Sequence, residues 1–173
     1  YSKADPAAMY KELVKDSTAN GLPLYVATID GETKYVLKLH GAGLWGGIGG
    51  YLALDADKNT IFGINFNHES ETPGLGAEIV AAYFRNQFNG KHIRNAEGTI
   101  CSVAVLKTGK TAENGQEQVD AISGATITST GVSDMLVNNL AEYAEFLNDC
   151  QTNNCAAPCE AVSESDEVAQ TVE

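Results

Sequence analysis

Seventeen of the 173 residues are glycine, and seven of those fall between Gly41 and Gly63. Six sit in one run, His40-Gly-Ala-Gly-Leu-Trp-Gly-Gly-Ile-Gly-Gly50. Ordering glycine costs more backbone entropy than ordering other residues, so such a cluster marks positive φ angles or backbone lying close to another group. A flexible loop is the bland reading. Trp45, the only tryptophan of the chain, opposes it, because a large ring is a poor choice for a floppy segment. The run lacks the Gly-Lys-Ser/Thr end of a phosphate-binding loop. Gly41, Gly43 and Gly46 fit Gly-x-Gly-x-x-Gly, but no helical pattern follows them, as a dinucleotide site requires.

Around this run the pattern is one of antiparallel hairpins interspersed with helices. Residues 24–29 and 35–39 read as strands joined across Asp30-Gly31-Glu32, a hairpin signal. A second pair, 50–54 and 60–65, flanks Asp55-Ala-Asp-Lys-Asn59. Ile79, Val80, Tyr83, Phe84 and Phe88 form an amphipathic helical stripe that Asn89-Gly90 closes. A strand over 100–106 follows, with Cys101 in it as a small buried hydrophobe, then a polar loop over 107–116. Val132, Met135, Leu136, Leu140, Tyr143, Phe146 and Leu147 give the clearest helix, with Ser129 or Thr130 placed to cap it. Upstream, Asp5-Pro6 starts a further helical pattern through Met9, Tyr10, Leu13 and Val14. The expected class is α+β: one domain of antiparallel hairpins packed with helices over 23–149. An N-terminal helix over 1–22 precedes it, and an acidic, mobile tail over 150–173 follows.

Eleven Lys and Arg against 23 Asp and Glu leave a net charge of −12. That argues against a nucleic-acid partner, since phosphate neutralisation needs clustered cations. No apolar run reaches the roughly 20 residues of a bilayer span. The chain opens at Tyr1 as a trimmed fragment would, leaving room for an upstream anchor or signal. Cys150-x4-Cys155-x3-Cys159 lacks the tight repeated pairs and the nearby histidine of a metal site, so a disulfide or free thiols stand open for it.

Two further segments carry chemistry. His68-Glu69-Ser70-Glu71-Thr72-Pro73-Gly74-Leu75-Gly76 joins a strand end to a helix start, where backbone N–H groups are available to an anion or to ring oxygens. Thr72-Pro73 alone could be a helix start, but that leaves Gly74-Leu75-Gly76 unexplained. Asp120-Ala-Ile-Ser-Gly-Ala-Thr-Ile-Thr-Ser-Thr130 leads into the clearest helix. Its small residues Ser123, Gly124 and Ala125 let a bulky group reach the backbone, and a helix N-terminus favours phosphate. Gly-x-Ser-x-Gly is absent, so a hydrolase-type serine nucleophile has no support.

Ser123-Gly-Ala-Thr126, with Asp120 before it and Thr128-Ser129 after it, resembles the covalent-flavin attachment motif of the FMN-binding domain family. Glu71-Thr-Pro-Gly-Leu-Gly76, with His68 upstream, is similar to that family's second signature, here with one residue inserted. Gly43-Leu-Trp-Gly46 followed by Gly50-Tyr-Leu-Ala-Leu54 resembles the C-subunit branch, from sodium-translocating NADH:quinone oxidoreductases. The G-subunit branch of Rnf ion-translocating complexes is the runner-up. The three elements keep their order between about Leu24 and Leu147.

The resemblance implies FMN joined covalently to Thr126 through a phosphoester, attached by a separate flavin transferase that uses FAD and Mg²⁺ and recognises 120–126. A threonine hydroxyl is too weak a nucleophile to load itself. Leu44 and Trp45 are then expected over part of the isoalloxazine. Glu71, Thr72, Leu75 and Gly76 line another edge, Ser123, Gly124, Ala125 and Thr128 surround the attachment point, and Lys107 stands as a cation near the ring. The phosphate sits by the helix start near Ser129, and His68 supports its loop. The implied function is one-electron transfer within a membrane complex, next to its other subunits, with no substrate turnover or metal in this chain. The domain would face the bacterial periplasm behind one membrane helix. Two other classes stay open: a non-covalent flavin or phosphate module, and a metal-binding or scaffold protein built on Cys150, Cys155 and Cys159.

Overall fold

The computed structural model describes residues 22–107, 110–112 and 117–149. The expected N-terminal helix and the segment with Cys150, Cys155 and Cys159 lie outside the described residues. The scaffold is an antiparallel sheet of β1 (Leu24–Ile29), β2 (Glu32–Ala42), β3 (Gly47–Leu54) and β4 (Ile61–His68), in that spatial order. Asp30 and Gly31 turn the first hairpin with φ of 53° and 84°, the twist that a two-residue connection demands. β2 is longer than its sequence pattern, running through Gly41 because β3 pairs with it up to Ala42↔Gly47.

Alternation puts Leu37, Leu39, Ile48, Leu52, Leu54, Ile64 and Phe66 into the buried core. The main helix α2 (Thr126–Glu142) packs across β2 and adds Val132, Met135, Leu136 and Leu140. It also finishes the sheet. β1 pairs with β2 only as far as Leu24↔Leu37. Beyond that point Asn139 accepts from the His40 N–H at 3.1 Å and donates to the His40 carbonyl at 2.8 Å. One side-chain amide thus stands in for a missing strand neighbour.

The aromatic stripe is buried only in part, and not as one helix. Phe84 and Phe88 close on Phe66 with ring centroids 5.5 to 5.8 Å apart, while Tyr83 is exposed. The chain reaches them through a 3₁₀ turn (Gly76–Val80), α1 (Ala82–Arg85) and a second 3₁₀ turn (Asn86–Phe88). Ala81, extended at φ −71° and ψ 143°, breaks the run so that the rings can face Phe66.

The expected strand over 100–106 shrinks to β5 (Ala104–Val105), paired in parallel with β6 (Gln118–Val119). Ser102, at φ 68°, interrupts it, and the N–H groups of Cys101 and Ser102 both donate to the Ile93 carbonyl. Alternation is lost there. Ser102 and Val103 are both buried, and Cys101 is an exposed free thiol rather than a buried hydrophobe.

The start of α2 also differs from expectation, lying three residues before Ser129. Neither Ser129 nor Thr130 caps it: Ser129 Oγ accepts from the Ile122 N–H at 3.2 Å, and the Thr130 hydroxyl donates to the Thr126 carbonyl. Tyr143 separates α2 from α3 (Ala144–Asn148). Two cations close α3. Lys58 Nζ donates to the Phe146 and Asp149 carbonyls at 3.0 and 2.7 Å, and Arg94 Nη2 to the Leu147 carbonyl at 2.9 Å. Among the described residues no helix is long and apolar enough to cross a membrane, and no three His, Cys, Asp or Glu side chains are grouped to hold a metal.

Candidate functional site

Three connections meet above one end of the sheet. Between β2 and β3 the chain turns tightly, with the Gly43 N–H donating to the Gly46 carbonyl at 2.8 Å. The segment leaving β4 locks onto this turn from the side: Ser70 Oγ donates to the Trp45 carbonyl at 2.8 Å, and the Glu69 N–H to the Gly47 carbonyl at 2.9 Å. The third piece is the approach to α2, where the Ala125 N–H closes a turn on the Ile122 carbonyl and Gly124 takes φ 75°.

Glu71 ties all three together. Its side chain is 4% exposed. Oε1 accepts from the Trp45 N–H at 2.8 Å, and Oε2 accepts from the Thr128 hydroxyl at 2.6 Å. His68 Nδ1 accepts from the Glu71 N–H at 3.3 Å, the loop-supporting role expected of it. Glu69 is exposed and Glu71 is turned inward. Both donors to the carboxylate are neutral. They compensate its burial by hydrogen bonding rather than by ion pairing.

Close backbone contacts follow. A Cβ on Gly76 would fall onto Glu71 Oε2 and lie 2.6 Å from Thr128 Oγ1. A Cβ on Gly131 would fall onto the Ala42 carbonyl oxygen, so α2 touches the end of β2 directly. The glycines that the sequence clusters or repeats are therefore largely contact points, not hinges.

Outside this welded interior lies a surface that carries exposed apolar side chains and Thr126. Leu44 and Trp45 are exposed at the tip of the turn, Trp45 by 65%. Leu75 is exposed, with Cδ2 against Gly124, and Ile127 is exposed on the first turn of α2. Thr126 is the first residue of α2 and is exposed among them. The first intrahelical bond is Ser129 N–H to the Ala125 carbonyl, so the Ile127 and Thr128 amides lie at the open, positive end of the helix.

Of the residues singled out in the sequence, Leu44, Trp45, Thr72, Leu75, Ser123, Gly124 and Thr126 lie on this surface. Glu71, Gly76, Ala125 and Thr128 lie beneath it, buried, where they hold the loops. Lys107 is exposed just past β5, and no described contact joins it to the three segments. Sequence reasoning missed Ile127, Ser70 and Gly131. Ile127 alone carried a signal: it is a large apolar side chain outside the buried stripe of its helix.

The site thus joins a four-stranded antiparallel sheet, a glycine-rich turn and a helix start with an exposed threonine. The chain belongs to the FMN-binding domain family, whose model matches residues 43–141. It is similar to NqrC, the C subunit of the Na(+)-translocating NADH-quinone reductase, of Yersinia pestis, 38% identical over 116 residues that cover 66% of this chain and 43% of that protein. Among solved structures it is similar to the corresponding protein of Parabacteroides distasonis, with 52% identity and a TM-score of 0.72 over 79% of this chain and 68% of that one. NqrC of Shewanella oneidensis is 30% identical with a TM-score of 0.63, over 75% of this chain and 62% of that one. The chain thus spans less than half the length of the Yersinia pestis relative it matches.

Proposed function

We propose that the chain is the FMN-carrying domain within a sodium-translocating NADH:quinone oxidoreductase, loaded covalently at Thr126 and working as a one-electron carrier. The observation behind it is the exposed Thr126 on the first turn of α2, next to exposed Ile127, with exposed Leu44, Trp45 and Leu75 on the two loops that Glu71 ties to that helix. The residues fit such a group. Apolar side chains would cover a ring, and the helix end would hold a phosphate. When bound, the flavin supplies the redox chemistry; the protein positions it.

Each residue group has a task. The open end of α2 offsets phosphate charge. Trp45, Leu44 and Leu75 cover ring surface, and Glu71 with Thr128 fixes the two loops against the helix. Attachment at Thr126 would keep the cofactor through repeated redox cycles. The transferase, the neighbouring subunits and a periplasmic placement behind a membrane anchor belong to the same reading. The names of the similar proteins favour the quinone-reductase branch over an Rnf-type one.

Intact mass under denaturing conditions tests it, after co-expression with a flavin transferase of proven activity. A gain of one FMN less one water in the wild type, absent in Thr126→Ala, is the expected result. An unmodified wild type overturns covalent attachment. If flavin still co-purifies and is released on denaturation, the non-covalent module takes its place.

A further inference from the structure

Along the later turns of α2 lies a second site that shares no residue with the surface around Thr126. A cavity of about 570 Å³ is walled by Ile100, Val137 and Leu140, with Arg94, Cys101 and Ser102 at its edge. A neighbouring cavity of about 680 Å³ shares those last three residues. Among the described residues Arg94 is the only charged one lining the first cavity. Three of its donor contacts go to neutral acceptors: Gly98 O at 2.8 Å, Asn148 Oδ1 at 3.1 Å and Leu147 O at 2.9 Å. A guanidinium has five N–H donors, so donor capacity remains, and no carboxylate pairs with it among the described residues. Ser102 is 5% exposed, and its hydroxyl oxygen is buried without a partner. Beside it Cys101 is an exposed free thiol.

A thiol, a guanidinium with spare donors and no carboxylate partner, an unsatisfied hydroxyl and an apolar wall have one ligand chemistry in common. We propose that this groove is a modification site, at which Cys101 captures a small disulfide carrying a carboxylate on an apolar body. The carboxylate takes the remaining Arg94 donors, and the body lies along Ile100, Val137 and Leu140. The Cys101 thiolate then attacks one sulfur of the bound disulfide. A new S–S bond forms to Cys101, the ligand's own S–S bond breaks, and its other half leaves as a thiolate. No oxidant beyond the disulfide is needed. Attack by a free thiol on the new bond reverses the step by the same exchange.

The test uses the full chain with Cys150, Cys155 and Cys159 replaced by serine, so that Cys101 is the only thiol. Two aromatic disulfides serve as probes: 5,5′-dithiobis(2-nitrobenzoate), which is anionic, and 4,4′-dithiodipyridine, which is neutral. The anionic probe should react faster than the neutral one, each rate taken relative to free cysteine. Arg94→Gln should lower the anionic rate by about three- to fivefold, the scale of one part-exposed ion pair, and leave the neutral rate unchanged. Arg94→Lys should recover part of the loss. A change of both rates together would show only a loosened α3 and overturn the anion site. Equal relative rates for the two probes in the unmutated groove overturn it as well. So does an intact wild-type chain in which mapping shows Cys101 already paired with a cysteine of its own chain.

Discussion

The Thr128 hydroxyl donates to Glu71 Oε2 at 2.6 Å, with both side chains buried, and so fastens the helix that carries Thr126 to the loop that leaves β4. The other carboxylate oxygen reaches the Trp45 N–H, so one residue sets the spacing of three segments. Glu71→Ala should destabilise the domain by about 2–4 kcal/mol, because a buried hydroxyl and a part-buried N–H lose a charged acceptor. Thr128→Val should cost about 1–3 kcal/mol by leaving one carboxylate oxygen short. Thr128→Ser should be close to neutral. Urea midpoints check all three.

Gly76→Ala puts a methyl group onto Glu71 Oε2. The carboxylate must move off the Thr128 hydroxyl, at a cost of about 1–3 kcal/mol. Flavin loading should fall in parallel, read as the fraction of chain carrying the mass increment.

Trp45→Ala separates the surface from the knot. The ring is 65% exposed, and the bond to Glu71 uses its backbone N–H. Stability should stay within about 0.5 kcal/mol of wild type, as for other exposed positions. Protection of the bound flavin from collisional quenching by iodide should drop. A large loss of stability would place the ring inside the fold rather than over a ligand.

Lys58 sits at φ 54° and donates to the last carbonyls of α3, with Nζ 4.3 Å from the Phe146 ring centroid. Lys58→Met keeps the stem and removes the charge. It should cost about 1–2 kcal/mol through the lost capping bonds, seen as a lower urea midpoint.

Asp57 supplies a pH dependence. Burial by itself would raise its pKa, but hydrogen bonds from the Thr60 hydroxyl and the Thr60 and Asn59 N–H groups outweigh that, helped by the charge of His92. Its folded pKa therefore lies below the ordinary 3.8. The carboxylate contributes stability that is complete above that ordinary value and is lost as pH falls through the folded one. Asp57→Asn should flatten the acid limb of stability below about pH 4.

Much of the sheet was legible because its signals are local. Asp30-Gly31 makes a two-residue turn wherever alternating apolar residues flank it, and the two hairpins fell where turn residues placed them. Cys101 was misread because one left-handed residue, Ser102, flips the alternation, and no pattern announces it. The break at Ala81 was hidden for a similar reason. The stripe through Phe84 and Phe88 has helical spacing, yet Phe66, on β4, decides how those rings must turn.

The sequence by itself determined the hairpins, the long helix, the α+β class and the three motifs, all properties of short windows of chain. Which motif residues face outward was decided only by the tertiary structure. Glu71 looks like a surface ligand in its loop, and Thr128 looks like one more capping hydroxyl. They lie 57 residues apart, and only the packing of α2 against the loop after β4 brings their oxygen atoms within 2.6 Å. A buried carboxylate needs donors near it, and the fold found one on a distant helix; the same packing left Thr126, two residues earlier, on the outside.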